Sequence, residues 1–355
     1  MADSQDIIVV TLNYRVPIFG FPGAPGLTQN VALLDQRMAI EWVRDNIAGF
    51  GGDPSSIVID GQSSGAVAVD NWSYAFQEDP IVKGLISQSG NVFSFPLNTT
   101  ELAADNWYAV SAQLGCGRSG DTVDCMRSKD VSAILAAVAR VPAPPGNSIA
   151  RSQPTFQGTI DNRTILGDYA ARSSNSDFAH LPYLQGNNDH ESGYYRIAAL
   201  AKRNDPKEST WTEFELEDFT CPTAVQGHNR AKHGVPTWRF RYFGDWHNAR
   251  LYPGSKAYHG SDMEMIIGNS YGVTGIPPSR DERRLTQYMQ RAWAAFVRDP
   301  QAGLTKYGWP EYDSNEATLV CLGYNNSPSP SFVLPSVYDR PCAGLNLSFY
   351  NVDAL

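Results

Sequence analysis

Apolar positions along the chain fall into two alternating kinds of segment. Ile7-Ile8-Val9-Val10-Thr11-Leu12 is a continuous apolar run of the length that predicts a buried strand. From Val31 to Ile47 apolar residues recur at helical spacing, with Leu33, Leu34, Met38, Trp42, Val43 and Ile47 on or near one face. Gly49, Gly51, Gly52 and Pro54 then stop that helix. A second short run, Ile57-Val58-Ile59, predicts a strand that ends by Asp60, and Ala66-Val67-Ala68-Val69 opens a helix behind it. Gly84 to Gly90 predicts a further strand running into small polar residues, where a doubly wound sheet presents its ligands.

The second half keeps the alternation less regularly. Between 98 and 177 the pattern is helical and loop-rich, broken by Val141-Pro142-Ala143-Pro144-Pro145-Gly146, as suits a lid or insertion over a sheet. Leu181 to Gly186 and Pro236 to Phe243 predict two more strands, each entering a polar loop, and Asp281 to Arg298 a long amphipathic helix. Beyond Trp309 proline, serine and asparagine dominate and no element is predicted. Strand and helix in alternation over 355 residues, with no linker or repeat, predict a single α/β domain built on a mostly parallel, doubly wound sheet.

Composition narrows the partners. Twenty-eight basic against 37 acidic residues give a net charge of −9, and no basic run exceeds two, so nothing resembles a phosphate-binding stripe for nucleic acid. No apolar stretch reaches the ~18 residues that span a bilayer, and Met1 to Asp6 carry neither the basic nor the apolar part of a signal peptide. Cysteine usage points outward all the same. Cys116 and Cys125 close a short loop suited to a disulfide, while Cys221, Cys321 and Cys342 leave an odd number, one of them free or paired elsewhere. Sequons at Asn98, Asn162, Asn325 and Asn346 are candidates for glycosylation in a secreted protein; a fifth, Asn71, falls in the helix after Ile59 and is expected to be buried.

The chemistry concentrates at Gly61-Gln62-Ser63-Ser64-Gly65, a glycine-flanked serine between a strand and a helix. A serine on so sharp a turn has crowded torsions, so residues two before and two after it are expected to be nearly side-chain-free. The turn lifts the hydroxyl over the sheet's carboxyl edge, beside a helix N-terminus that favours negative charge. Gly268-Asn269-Ser270-Tyr271-Gly272 repeats the pattern, but Gly275 and Pro277-Pro278 oppose a helix there, so only Ser63 has the context of a nucleophile. A serine hydroxyl needs a base and an acid, in the chain order serine, acid, histidine. Of six histidines, His259 lies in a loop just past a predicted strand, with Gly260 permitting a tight turn. The acid is expected in Asn187-Asn188-Asp189-His190-Glu191, where spacing leaves Asp189 and Glu191 both open.

These segments together resemble the type-B carboxylesterase/lipase family, the α/β-hydrolases that include cholinesterases and fungal extracellular esterases. The resemblance runs through Val10-Thr11-Leu12-Asn13-Tyr14-Arg15, Asn46 to Pro54, the serine turn, Gln88-Ser89-Gly90, the short cysteine loop, the acid loop ending at Glu191, His259-Gly260 and Trp309-Pro310. It implies an α/β-hydrolase fold with insertions over the active site, and makes Ser63 the nucleophile, Glu191 the acid and His259 the base. Ser64 offers an oxyanion N–H, with Ser89 and Gln62 in support. Gln62 stands where many members have glutamate, and Ser64 where alanine is usual. The family's glycine-rich His-Gly-Gly-type loop, expected before the strand at Ile7, has no counterpart; Gly51-Gly52 is the only such pair and matches another segment. The main oxyanion donors, and the strand leading into them, are therefore expected to be missing, leaving the chain N-terminally incomplete. The implied activity is hydrolysis of a small-molecule or lipid-like carboxylic ester without cofactor or metal. The alternative is an esterase-like scaffold that binds or adheres without hydrolysis. Trp72, Phe93 and Phe95, near Ser63 in sequence, are expected either in an acyl pocket or in the core.

Overall fold

In the computed structural model, residues 1–142 and 153–344 are described. Six strands form one sheet in chain order: β1 (Val58–Gln62), β2 (Gly84–Gln88), β3 (Tyr183–Asn188), β4 (Thr237–Tyr242), β5 (Leu319–Leu322) and β6 (Ser331–Val333). The first five run parallel and the last is antiparallel. Parallel neighbours require crossovers, and the chain makes them mostly with helices. The sheet's two faces are both covered. On one, Ile86, Leu184, Trp238, Phe240, Tyr242, Val320 and Leu322 pack against Leu285, Met289, Trp293 and Phe296 of the long helix Arg280–Arg298. On the other, Leu85 and Tyr183 meet Val69 and Trp72 of the helix Ser64–Ala75. The period of two along the strands sorts these residues between layers.

We label the helices that position the site α1 (Val31–Asn46), α2 (Ser64–Ala75), α3 (Ser192–Ala201), α4 (Cys221–Lys232), α5 (Ser261–Ile267) and α6 (Arg280–Arg298). The start of α6 follows from sequence: Ser279 accepts from Glu282 N–H at 3.1 Å and Glu282 accepts from Ser279 N–H at 3.0 Å, a reciprocal cap. Helix α1 spans the expected residues, but its apolar face is split: Leu33 and Val43 are buried, while Met38 and Trp42 face solvent.

Two expectations are corrected. Ile7 to Leu12 forms no strand; Ile8, Val9 and Val10 are about half exposed, at 47%, 54% and 48%. An apolar run becomes a strand only when a neighbour accepts its backbone bonds, and β1 pairs on one side only, with β2. The region past Trp309, where no element was predicted, supplies β5 and β6. Of residues 98–177, the described part holds four helices, and Trp107, Val110, Met126, Ile134 and Phe156 form a core of its own with Ile18 and Ala24.

Candidate active site

Ser63 lies between β1 and α2 with φ 59° and ψ −123°, a left-handed-side conformation that costs a non-glycine residue free energy and is held by its surroundings. Its N–H donates to the Gln88 carbonyl at 2.9 Å, clamping the turn to β2. A Cβ on Gly61 would stand 2.3 Å from the Gly65 carbonyl oxygen, and one on Gly90 would stand 2.5 Å from the Ser63 carbonyl oxygen. Both glycines are therefore demanded by close backbone approach. Gly65 is different from expectation: a Cβ there would meet nothing within 4 Å, so the crowding is relieved on the Gly61 side alone. Ser64 is the first residue of α2, and its N–H has no acceptor four residues back within the helix.

The acid loop leaves β3 and the histidine loop precedes α5, and the two meet at Gln62, the residue before Ser63. His259 Nδ1 lies 2.6 Å from Glu191 Oε2. Glu191 Oε1 accepts from Ser89 Oγ at 2.7 Å and from Asn188 N–H at 2.6 Å, so the buried carboxylate is fully engaged. Asp189, the other acid the spacing left open, turns away to Arg241 at 3.0 Å. Since the carboxylate can only accept, His259 carries its proton on Nδ1 and its lone pair on Nε2. That lone pair faces Gln62 Nε2 at 3.1 Å, and no hydrogen bond joins it to Ser63.

The loops are fixed by contact. A Cβ on Gly193, the second residue of α3, would stand 2.3 Å from the Ser255 carbonyl oxygen and 2.9 Å from Tyr258 Cβ, so α3 rests directly on the histidine loop. This seats Tyr195 over the imidazole with ring centroids 5.2 Å apart, while Phe219 covers it at 5.1 Å. The Tyr195 side chain lines the same cavity as Ser63. Burial, and then the charges of Glu191 and Asp218, hold this phenol well above its ordinary pKa. Asp262 of α5 is buried beside Asn188 Nδ2 at 3.1 Å; burial first, and Glu191 second, push its carboxyl up to about 6. Sequence reasoning missed Tyr195, since an aromatic one turn from a candidate acid reads equally as packing.

A cavity of about 410 Å³ opens at Ser63 and Ser64, walled by apolar side chains including Val16, Phe21, Val67, Phe95 and Leu97, with Tyr195 also in its lining. Of the three aromatics weighed for a pocket, Phe95 lines it, while Trp72 and Phe93 are in the core. Ser270 has φ −59° and ψ −28°, ordinary helical values, at the head of a single turn Tyr271–Thr274. His190 lies beside Glu215, and burial lowers its pKa to about 4.

Cys116 and Cys125 are bridged as expected, Cys221 pairs with Cys342, and Cys321 is free and buried. Among the sequons, Asn98 is corrected: it is 2% exposed and its Nδ2 donates to the Thr155 carbonyl at 3.0 Å, leaving no room for a glycan. Asn162 and Asn325 are exposed, Asn71 is buried, and Asn346 lies outside the described residues. Among the described residues no helix is long and apolar enough to cross a membrane, and no cluster of ligating side chains could hold a metal ion.

A mostly parallel sheet covered on both faces, with a strained serine on the turn from strand to helix, defines an α/β-hydrolase. The family model described as "Carboxylesterase family" matches residues 1–219, and the chain belongs to that family. Similar proteins include a chlorogenic acid esterase of Aspergillus niger, 35% identical over 89% of this chain and 63% of its own length. Secreted lipase 5 of Gibberella zeae is 32% identical over 95% of this chain and 66% of its own length. A para-nitrobenzyl esterase of Bacillus subtilis is 28% identical over 90% of this chain and 70% of its own. The chain thus spans just under two thirds of the length of the first two relatives.

Proposed function

We propose that the chain is a secreted serine hydrolase that cleaves carboxylic esters through an acyl-enzyme, with Ser63 as nucleophile, His259 as base and Glu191 as its acid. The observation that carries the reading is the pairing of His259 Nδ1 with Glu191 at 2.6 Å beside a serine held at φ 59°. The buried carboxylate leaves Nε2 as the basic atom and stabilises the imidazolium once it forms. When substrate arrives, Nε2 exchanges the Gln62 amide for the Ser63 hydroxyl. It takes the serine proton as Oγ bonds to the ester carbonyl carbon, then returns that proton to the departing alkoxide, leaving an acyl group on Oγ. A water deprotonated by the same Nε2 attacks the acyl carbon, and Nε2 passes that proton to Ser63 Oγ as the acyl C–Oγ bond breaks and the acid is freed. Ser64 N–H, at the positive end of α2, is placed to meet the developing oxyanion.

The apolar cavity suits an ester with an apolar acyl or alcohol part, and the curated names of relatives, a chlorogenic acid esterase and lipases among them, fit that class. Residues 98–177 are assigned as the insertion that shapes access. The second reading, a scaffold that binds without hydrolysis, is favoured by one observation: Nε2 is engaged by Gln62 rather than by Ser63. An aryl fluorophosphonate decides between them. Labelling mapped by mass spectrometry to Ser63, and absent after His259→Ala, supports the hydrolase; an unlabelled, folded protein supports the scaffold.

A further inference from the structure

The residue before the base, Tyr258, is buried, and its hydroxyl touches two oxygens: the Ala249 carbonyl at 3.1 Å and Glu264 Oε1 at 2.6 Å. A phenol has one proton to give, and a carbonyl can only accept. Both contacts are hydrogen bonds at once only if the hydroxyl donates to Ala249 while Glu264, as a protonated acid, donates to the hydroxyl. The other Glu264 oxygen agrees. Oε2 is shut away from solvent and has no hydrogen-bond partner among the described residues, which suits a neutral acid and is costly for a carboxylate. Glu282, at the start of α6, is the contrasting case. It is fully buried, its Oε1 accepts from Asn248 Nδ2 at 2.9 Å and its Oε2 from Ser279 N–H at 3.0 Å, so both oxygens are taken by N–H donors in the manner of a carboxylate. The groups facing Glu264 are Tyr258 from the histidine loop, Glu282 from α6, Asp262 from its own helix and Tyr242 from β4, and none of these four can bring positive charge. Burial, against the Tyr258 contact, and then the charges of Glu282 and Asp262 push the Glu264 carboxyl up to about 7.

We propose, resting on the serine-hydrolase reading, that Tyr258 and Glu264 are positioning residues for His259, and that they hold it in place only while Glu264 keeps its proton. The relay runs from Glu264 through the Tyr258 hydroxyl to Ala249, and ties the histidine loop to α5 on one side and to the segment after β4 on the other. His259 follows Tyr258 directly, and α5 begins two residues later, so the imidazole sits inside this tie. When Glu264 gives its proton to solvent, Oε1 becomes an acceptor and draws the phenol's hydrogen bond away from Ala249. That carbonyl is then left without its donor, and charge stands on Oε2 with nothing to receive it. The loop loses its anchor on the segment after β4, and the imidazole leaves its line to Ser63. Turnover therefore falls as pH rises through the Glu264 titration, separately from any acid limb set by His259.

The test is the pH profile of kcat on a nitrophenyl ester for the wild type, Glu264→Gln and Tyr258→Phe. The wild type is expected to lose about tenfold in kcat between about pH 6 and about pH 8.5. The amide of Glu264→Gln stays neutral and can still donate to the phenol, so that loss is expected to vanish while kcat at about pH 6 stays within a factor of about two. Tyr258→Phe breaks the relay at every pH: kcat is expected at about a tenth of wild type at about pH 6, with no further alkaline loss and KM within about twofold. A wild type without an alkaline loss, a loss that survives unchanged in Glu264→Gln, or a Tyr258→Phe variant with wild-type kcat overturns the inference. Should neither variant fold, carbon NMR of the wild type with labelled glutamate carboxyls tests it instead. A protonated glutamate at about pH 6 that ionises by about pH 8.5 supports the relay, and glutamates all ionised at the lower value overturn it. Ser63→Ala separates the two readings. Full activity in that variant removes the serine-hydrolase assignment itself, whereas its inactivity beside a Glu264→Gln profile like that of the wild type removes only the present inference.

Discussion

At the scale of single residues, the site divides into what spacing could reveal and what only contact could. Ser63→Ala is expected to lower turnover of a nitrophenyl ester by about 10⁴-fold or more, while Ser270→Ala leaves it within about twofold, because Ser270 has ordinary helical torsions. Steady-state rates on purified variants check both. Glu191→Gln is expected to cost roughly 10³–10⁴-fold in kcat, since the amide can present a donor to Nδ1 and reverse the tautomer. Ser63 and His259 were legible because glycine-bounded turns leave a signature in sequence. The choice of Glu191 over Asp189 was not legible from spacing. It depends on Arg241, one strand away, which holds Asp189 at 3.0 Å and leaves Glu191 to the imidazole. Asn98 misled for a related reason: a sequon records three neighbours in the chain, and burial against Thr155 is set by residues 57 positions away. Asp262 carries a pH prediction. Its carboxyl rises from 3.8 to about 6 on folding, so the folded state holds a proton that the unfolded chain gives up. The resulting penalty is absent below about pH 4, grows as pH rises and is complete above about pH 6. Asp262→Asn is therefore expected to raise unfolding free energy by roughly 2–3 kcal/mol at pH 7.5 and hardly at all at pH 4, as read by urea denaturation.

At the scale of elements, helices with long periodic faces were the most legible, and α6 announces both its amphipathic period and its cap in the residues Ser279 to Arg298. Short strands were not. β5 is four residues in a segment dominated by proline, serine and asparagine, and its identity comes from pairing with β4 and packing at Val320 and Leu322 rather than from its own pattern. Ile7 to Leu12 shows the converse, an apolar run with strand composition and no partner to pair with. The turn between β1 and α2 gives the sharpest prediction at this scale. Gly61→Ala must push its Cβ against the Gly65 backbone, 2.3 Å away at the carbonyl oxygen, whereas Gly65→Ala meets open space. The first is expected to destabilise by about 1–3 kcal/mol and to lower activity by shifting Ser63, the second to change stability by less than about 1 kcal/mol. Thermal melts of the two variants, run side by side, check the asymmetry.

At the scale of the whole molecule, the Cys221–Cys342 bridge joins the first residue of α4 to a segment 121 residues later and closes the largest covalent loop among the described residues. Its removal by Cys342→Ser is expected to cost about 2–5 kcal/mol, seen as a lower melting temperature. Because Cys221 follows Phe219 by two residues, and Phe219 covers His259, the same variant is expected to lose turnover at temperatures below its melt. The sheet's two borders have a different kind of consequence. β6, at one border, is three residues long with Pro328, Pro330 and Pro335 around it, which leaves few free donors for another strand. β1, at the other, is five residues long and bonded on one side, and Ile8 to Val10 earlier in the chain are exposed. A chain with one adhesive border and one blunted border cannot propagate head to tail. Where such chains meet, like border faces like border about a two-fold axis, and the growing end is used up at the first encounter. Sedimentation velocity at rising concentration is accordingly expected to resolve a closed pair that Val9→Lys returns to single chains; a ladder of trimers and longer species would mean that the β6 border is adhesive as well.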